Sequence, residues 1–111
     1  MSNTYKSTFF DLTTTNQTTV YTVPANVKSI VRTIQCSNHT GNTKVEVFVT
    51  DTSAATTTDI AELIMAASTT ENFAKGPIVL DPGDIIKITA DTANRITGTI
   101  AALEITFEWL I

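Results

Sequence analysis

The chain has 111 residues, 42% of them hydrophobic, which fits one globular domain with a core of its own. A net charge of -4, with seven basic residues spread along the chain, argues against nucleic acid and anionic membranes as partners, because both require clustered Lys and Arg. One cysteine allows no intrachain disulfide, and no apolar run approaches the roughly 18 residues of a membrane helix. The opening MSNTYKSTFF has no apolar signal-peptide region, so we expect synthesis in a cytosol.

Hydrophobic and polar residues alternate through most of the chain, and this period of two indicates half-buried β-strands. Threonine dominates the polar positions, and its β-branched side chain favours strands. Segment 59–67, DIAELIMAA, has helical propensity, but its shortness and its all-β context favour a strand. The other predicted strands are 18–23, 28–37, the segment of Val45, Val47 and Val49, 78–80, the segment of Ile86 and Ile88, and a last strand with Leu103, Ile105, Phe107, Trp109 and Ile111 on one face.

Turn-forming residues separate these strands, since Pro presets φ and both Gly and Asn tolerate left-handed backbone. They occur at 24–26, 38–42 and 91–94, and residues 50–58 form a polar loop by composition. The DPGD sequence at 81–84 predicts a tight turn that joins two hairpin strands.

Seven or eight short strands with frequent turns predict an all-β fold, a single antiparallel β-sandwich or jelly-roll-like domain spanning residues 1–111. Residues 1–15 are a candidate N-terminal arm and 106–111 a candidate C-terminal docking extension, and both ends are apolar. Arg32 falls in phase with Ile30 and Ile34, which indicates a bulge or a charge placed at an interface.

The candidate catalytic pair, Cys36 with His39, has a simpler structural interpretation. His39 lies in the turn at 38–42, where it is expected to be an exposed turn residue. Cys36 lies on an apolar strand beside Ile34 and is expected to pack as a small hydrophobe. The pair would also lack a third group to orient the histidine.

The candidate carboxylate pairs also have structural interpretations. Asp81 and Asp84 flank a tight turn and lack the ligand spacing of a calcium loop. Glu104 and Glu108 share a strand face about 13 Å apart, too far for a glycosidase pair, and are expected on a solvated or subunit-facing edge. We therefore predict that the protein is not an enzyme, with no catalytic residue, metal site or cofactor.

Two features point to protein partners. Phe48 is out of phase with the face of Val45, Val47 and Val49, which predicts that it lies on the outer sheet surface. The chain ends on FEWLI, and such an apolar terminus either docks on another surface or completes the domain's own core. The predicted interface residues are Phe9, Phe10, Phe48, Trp109, Leu110 and Ile111.

Three segments together resemble one protein family: TTVYTVPANVKSIVRTIQCSN at 18–38, KVEVFVTD at 44–51 and GPIVLDPGDIIKITADTANRITGTIAALEI at 76–105. Their order and spacing are similar to those of small virion proteins of tailed bacteriophages. The resemblance covers 18–105, and the C-terminal TFEWLI departs from the family's usual stop after LEI. It implies a non-catalytic β-sandwich that serves as a building block of virions.

On this resemblance, the leading hypothesis is a capsid decoration, or cement, protein that binds the major capsid protein on the virion exterior, after assembly in the host cytoplasm. We expect a homo-oligomer, with a trimer favoured. A tail, neck or fibre-base component is the alternative within the family. A carbohydrate-binding module is an alternative from another class, with Tyr5, Tyr21, Phe48 and Trp109 as candidate aromatic residues.

Overall fold

A computed structural model describes residues 2–107 of the chain. This part of the chain is built from β-strands joined by turns, and it contains no helix able to cross a membrane. The strands are β1 (Ser2–Leu12), β2 (Thr18–Thr22), β3 (Val27–Asn38), β4 (Thr43–Asp51), β5 (Thr56–Met65), β6 (Thr69–Asn72), β7 (Ile78–Leu80), β8 (Ile85–Ala90) and β9 (Ile96–Thr106).

The strands form two antiparallel sheets that face each other. The first sheet has the order β1-β9-β3-β6, with short β7 also paired to β3, and the second has the order β2-β8-β4-β5. With β7 set aside, this is the strand arrangement of an eight-stranded jelly roll. The predicted antiparallel β-sandwich is confirmed, and residues 59–65 of the segment 59–67 form most of strand β5 rather than a helix.

The core lies between the sheets and is formed by the inward residues of each strand. Its largest fully buried side chains come from both layers, because alternation turns every second residue inward. They include Leu12, Ile34, Ile96 and Ile100 from the first sheet and Val45, Val47, Met65, Ile86 and Ile88 from the second.

The turn at 81–84 connects the two sheets, which corrects the prediction that it joins a hairpin. Strand β7 pairs with β3 in the first sheet, whereas β8 pairs with β2 and β4 in the second. Leu80, before the turn, is buried in the core from the first sheet. Ile86, after the turn, is buried in the core from the second sheet.

Arg32 lies at a β-bulge in strand β3, which confirms one of the two interpretations of its phase. Val31 pairs with Ala102 and Thr33 with Ala101, so Arg32 is the extra residue and is exposed. The bulge lets Val31 and Ile34 both point into the core although they are three residues apart.

Most of the candidate arm 1–15 is an edge strand in the structure. Strand β1 pairs with β9 without interruption from Ser2, opposite Thr106, to Leu12, opposite Ile96. Its first six residues are exposed on both faces, whereas Leu12 belongs to the core.

Phe10 anchors strand β1 to the sandwich by packing over a glycine. It lies directly opposite Gly98 of β9 and packs against the core. A Cβ atom at Gly98 would overlap the Phe10 ring and the Gln35 carbonyl oxygen. The aromatic ring therefore covers the sheet surface that glycine leaves bare.

Glu104 is buried between the sheets, which corrects the prediction that it lies on a solvated or subunit-facing edge. It is in phase with Ile100 and Ala102, and these residues fix its face of β9 as the inner one. Its Oε2 accepts a hydrogen bond of 2.6 Å from the Tyr21 hydroxyl of β2 in the opposite sheet. The Ser29 hydroxyl lies 2.8 Å from the same phenol oxygen.

Two ionisable side chains, Tyr21 and Cys36, are buried in this core. Burial, followed by the hydrogen bond to Glu104, raises the pKa of Tyr21 from 10.0 to about 12. Burial alone raises the pKa of the Cys36 thiol from 9.0 to about 12. Both groups stay protonated in the folded protein at neutral pH, because their ionised forms are poorly solvated there.

We expect Gly98→Ala to lower the free energy of unfolding by about 1–3 kcal/mol, because the added methyl group overpacks the space under Phe10. Urea unfolding followed by far-ultraviolet circular dichroism measures this change. Gln35→Ala is the control, since its exposed side chain is removed while its carbonyl remains, and we expect about 0.5 kcal/mol or less. Equal losses in the two variants would contradict the packing.

We expect Tyr21→Phe to cost about 1–3 kcal/mol of unfolding free energy, because Glu104 and Ser29 lose a buried hydrogen-bond partner. Tyr5→Phe is the matched control: it removes the same hydroxyl group from a side chain that is 78% exposed. Urea unfolding of both variants compares the two sites. A Tyr21→Phe stability equal to that of wild type would contradict a stabilising Tyr21–Glu104 bond.

We expect the free energy of unfolding to fall in alkaline solution. The unfolded chain ionises Cys36 and Tyr21 near pH 9.0 and 10.0, whereas both folded groups ionise near pH 12. The contribution of these two groups to the free energy of unfolding is complete below pH 9.0 and is lost as the pH rises towards 12. Urea unfolding over this range should give a shallower decline for Tyr21→Phe, and parallel declines would show that Tyr21 does not contribute.

Candidate interaction surfaces

The structure separates Cys36 from His39 and leaves no catalytic pair. Cys36 is fully buried on the inner face of β3, and its raised pKa keeps the thiol protonated. His39 lies in the exposed turn after β3, where its Nε2 is 3.0 Å from the Thr97 hydroxyl. Within residues 2–107, no group of three or more His, Cys, Asp or Glu side chains is placed to hold a metal ion.

Asp84 is used by the turn that it closes. Its Oδ2 accepts a hydrogen bond of 2.9 Å from the Asp81 backbone N–H, and its own N–H donates to the Asp81 carbonyl at 3.1 Å. The Val23 N–H donates to the Asp84 carbonyl, which ties the turn to the end of β2. Both aspartates therefore have the structural role that the DPGD pattern predicts.

The outer face of the first sheet carries a row of apolar side chains, which we call the apolar row. It consists of Tyr5 of β1, Leu103 of β9, Ile30 of β3 and Val79 of β7. Each lies directly opposite the next across a strand boundary: Tyr5 faces Leu103, Leu103 faces Ile30, and Ile30 faces Val79. Tyr5 is 78% exposed and Val79 is 60% exposed, so the row crosses the whole sheet in contact with solvent.

The neighbours of the apolar row on the same face set its limits. On one side lies Ile105, opposite Lys28, whose Nζ is 3.4 Å from an Asp81 carboxylate oxygen. On the other side lie the small residues Ser7 and Ala101. The row is thus bordered by an ion pair on one side and, on the other, by small side chains and the exposed Arg32 of the β3 bulge.

Phe9 adds a second exposed ring to the outer face of β1. It is 79% exposed and lies four residues from Tyr5 on the same face. Phe10 points the other way into the core, which corrects its assignment beside Phe9 in an interface, because adjacent strand residues face opposite sides.

Phe48 lies on the outer face of the second sheet, away from Phe9. It is half-buried and shares a shallow depression with Lys44 and Glu46. The Lys44 Nζ lies 2.7 Å from Glu62 and 3.2 Å from Glu46, and these two carboxylates raise the pKa of Lys44. The charged side chains around Phe48 are therefore paired with each other.

An apolar groove of about 760 Å³ lies where the sandwich is open, between edge strand β5 and the segment from β6 to β7. Phe73 forms its buried base, and Ile60, Leu63 and Ile78 line its walls. Glu62, Glu71 and Lys75 border it with charges of both signs.

The remaining predicted interface residues, Trp109, Leu110 and Ile111, lie outside the described residues. The described chain ends at Phe107, which is 38% exposed and whose N–H donates to the Asn26 carbonyl at 3.0 Å.

Sequence reasoning missed the apolar row because it placed Ile30 in phase with Ile34. The bulge at Arg32 changes the phase between these residues, so Ile30 points outward and Ile34 inward. Val27, Ser29 and Val31 alternate with Ile30 and are all buried, so the alternation before the bulge already indicates that Ile30 points outward.

Comparison with known proteins supports the fold alone. No family model matches the chain, and no curated protein matches it. Among solved structures, the chain is similar to a subunit described under "Bacillus endospore appendages form a novel family of disulfide-linked pili", with 14% identity, a TM-score of 0.54, and coverage of 96% of this chain and 90% of that one. The one cysteine of this chain is buried.

Proposed function

We propose that this protein is a non-enzymatic structural subunit, and specifically a capsid decoration protein of a tailed bacteriophage that binds the major capsid protein from outside and stabilises the shell. The observation that carries the proposal is the apolar row. A row of four apolar side chains across a hydrogen-bonded sheet is a rigid, preformed surface for another protein, and it loses little conformational freedom on binding.

Two further observations are consistent with a structural subunit. Within the described residues, every candidate catalytic group is either buried or engaged in a turn. The similarity to an appendage subunit is consistent with a β-sandwich used as a building block, and the sequence resemblance to phage virion proteins supplies the more specific assignment.

A carbohydrate-binding role has less support. Such sites present exposed aromatic rings to the sugar, and Tyr21, one of the candidates, is only 5% exposed and hydrogen-bonded to Glu104. Tyr5 and Phe48 lie on the outer faces of different sheets, so they do not form one sugar-binding platform.

The first test is the copy number of this chain in purified virions, measured by quantitative mass spectrometry against the major capsid protein. We expect a ratio near one or a simple fraction of it, because a decoration protein follows the symmetry of the shell. A few copies to a few dozen per particle would assign the protein to the tail, neck or fibre base. Its absence from virions would overturn the virion assignment.

A second test locates the capsid-binding surface. Particles that lack the protein are incubated with purified wild-type chain, with Val79→Lys or with Ile64→Lys. Val79 lies in the apolar row, and Ile64 is an exposed apolar residue of β5 in the other sheet. We expect Val79→Lys to bind at least about tenfold more weakly and Ile64→Lys to bind as wild type, since only the first buries a charge.

A further inference from the structure

We infer that strand β1 is a contact between two copies of this chain, which pair antiparallel about a two-fold axis at Ser7 and extend the first sheet into a continuous sheet across the dimer. This inference rests on strand β1 and does not depend on the virion assignment.

Strand β1 is an open edge of unusual length. It is 11 residues long and pairs with β9 on one side without a register shift, while the sheet order places it at the end of the sheet. It contains no proline and no bulge, two of the devices that block edge pairing, and its only charged residues are Lys6 and Asp11, which carry opposite charges. Its first six residues are exposed, so the backbone is open to another strand.

The other long edge strand, β5, is protected where β1 is not. The register of β5 against β4 shifts between Val47 and Phe48, which leaves Ile60 as an extra residue and kinks the edge. Asp59 and Glu62 flank the kink and add like charges on that edge. Because β5 is kinked and β1 is regular, β1 is the edge that can pair with a partner strand.

The partner that fits β1 is a second β1, because the strand is complementary to itself. Antiparallel pairing centred on Ser7 aligns all positions from Ser2 to Leu12, with each strand end opposite the other. The same register sets Tyr5 opposite Phe9 of the second copy, twice, on the outer face of the joined sheet. Aromatic cross-strand pairs of this kind stabilise antiparallel strands.

The neighbouring register on the N-terminal side fits less well. A shift by two residues towards the N-terminus sets Lys6 directly opposite Lys6 of the second copy, and like charges so placed destabilise the pair. In the register centred on Ser7, Lys6 faces Thr8, and the two Lys6 side chains are diagonal neighbours about 7–8 Å apart at their backbones, where they can diverge into solvent.

Both the backbone and the side chains of β1 stabilise this pairing. Full-length pairing supplies on the order of ten backbone hydrogen bonds. It also covers the exposed rings of Tyr5 and Phe9, which are 78% and 79% exposed in the single chain. The two-fold axis gives a dimer in place of the trimer expected from the sequence.

Site-directed cross-linking of the full-length chain tests the register. Ser7→Cys sets two thiols opposite each other on the axis, within the Cα separation of about 4.4–6.8 Å that a disulfide spans. We expect oxidation to link most of this variant into dimers. Asn3→Cys is the matched control, because it lies on the same exposed face but opposite Asp11 of the second copy, and it should stay unlinked.

Analytical ultracentrifugation tests the contact without cross-linking. We expect wild type to dimerise and the double variant Tyr5→Lys/Phe9→Lys to dissociate at least about tenfold more readily, with circular dichroism showing that it stays folded. Ile64→Lys serves as the control and should dimerise as wild type. A monomer, a trimer, a dimer insensitive to the double variant, or equal cross-linking of Asn3→Cys would each overturn the inference.

Discussion

The pairing of strand β9 with a neighbour on each side along its whole length is the constraint on which the rest of the structure depends. β9 pairs with β1 on one side and with β3 on the other, from Ile96 to Thr106 in both cases. This double pairing fixes the face of every side chain in three strands at once. It sets Glu104 inside and Leu103 outside, and it leaves the second edge of β1 open.

The polar contact within the core follows from that constraint. Because β9 cannot turn Glu104 to solvent without also exposing Ile100 and Ala102, the carboxylate must find a partner inside. The Tyr21 hydroxyl of the facing sheet provides it. The contact joins the two layers at a defined position, so it restricts how they can slide over each other.

Much of the fold could be predicted from local pattern, and the failures have definite causes. The alternation in β3, β4 and β8 and the turn residues between them identified an antiparallel sandwich. Strand β6 has the sequence TTEN, with no apolar alternation to reveal it. The DPGD turn has the same local chemistry whether it closes a hairpin or crosses between sheets, so only tertiary pairing distinguishes the two.

The interaction surfaces were less predictable for the same reason. Phe9 was predicted as an interface residue, but the apolar row depends on register across four strands, which no single segment encodes. The inward position of Glu104 was within reach of the sequence, since its phase with Ile100 was visible. It was missed because the apolar residues at the end of the strand were given more weight.

The bulge at Arg32 has a consequence for how this chain can vary in length. Because the extra residue is absorbed at one point, Val27 to Val31 keep their faces relative to Ile34 and the strand beyond. Removal of this one position would leave a regular strand with the same residues turned inward and outward. Natural variants could therefore lose a residue here without exchanging core for surface, a freedom that an unbulged strand such as β1 does not have.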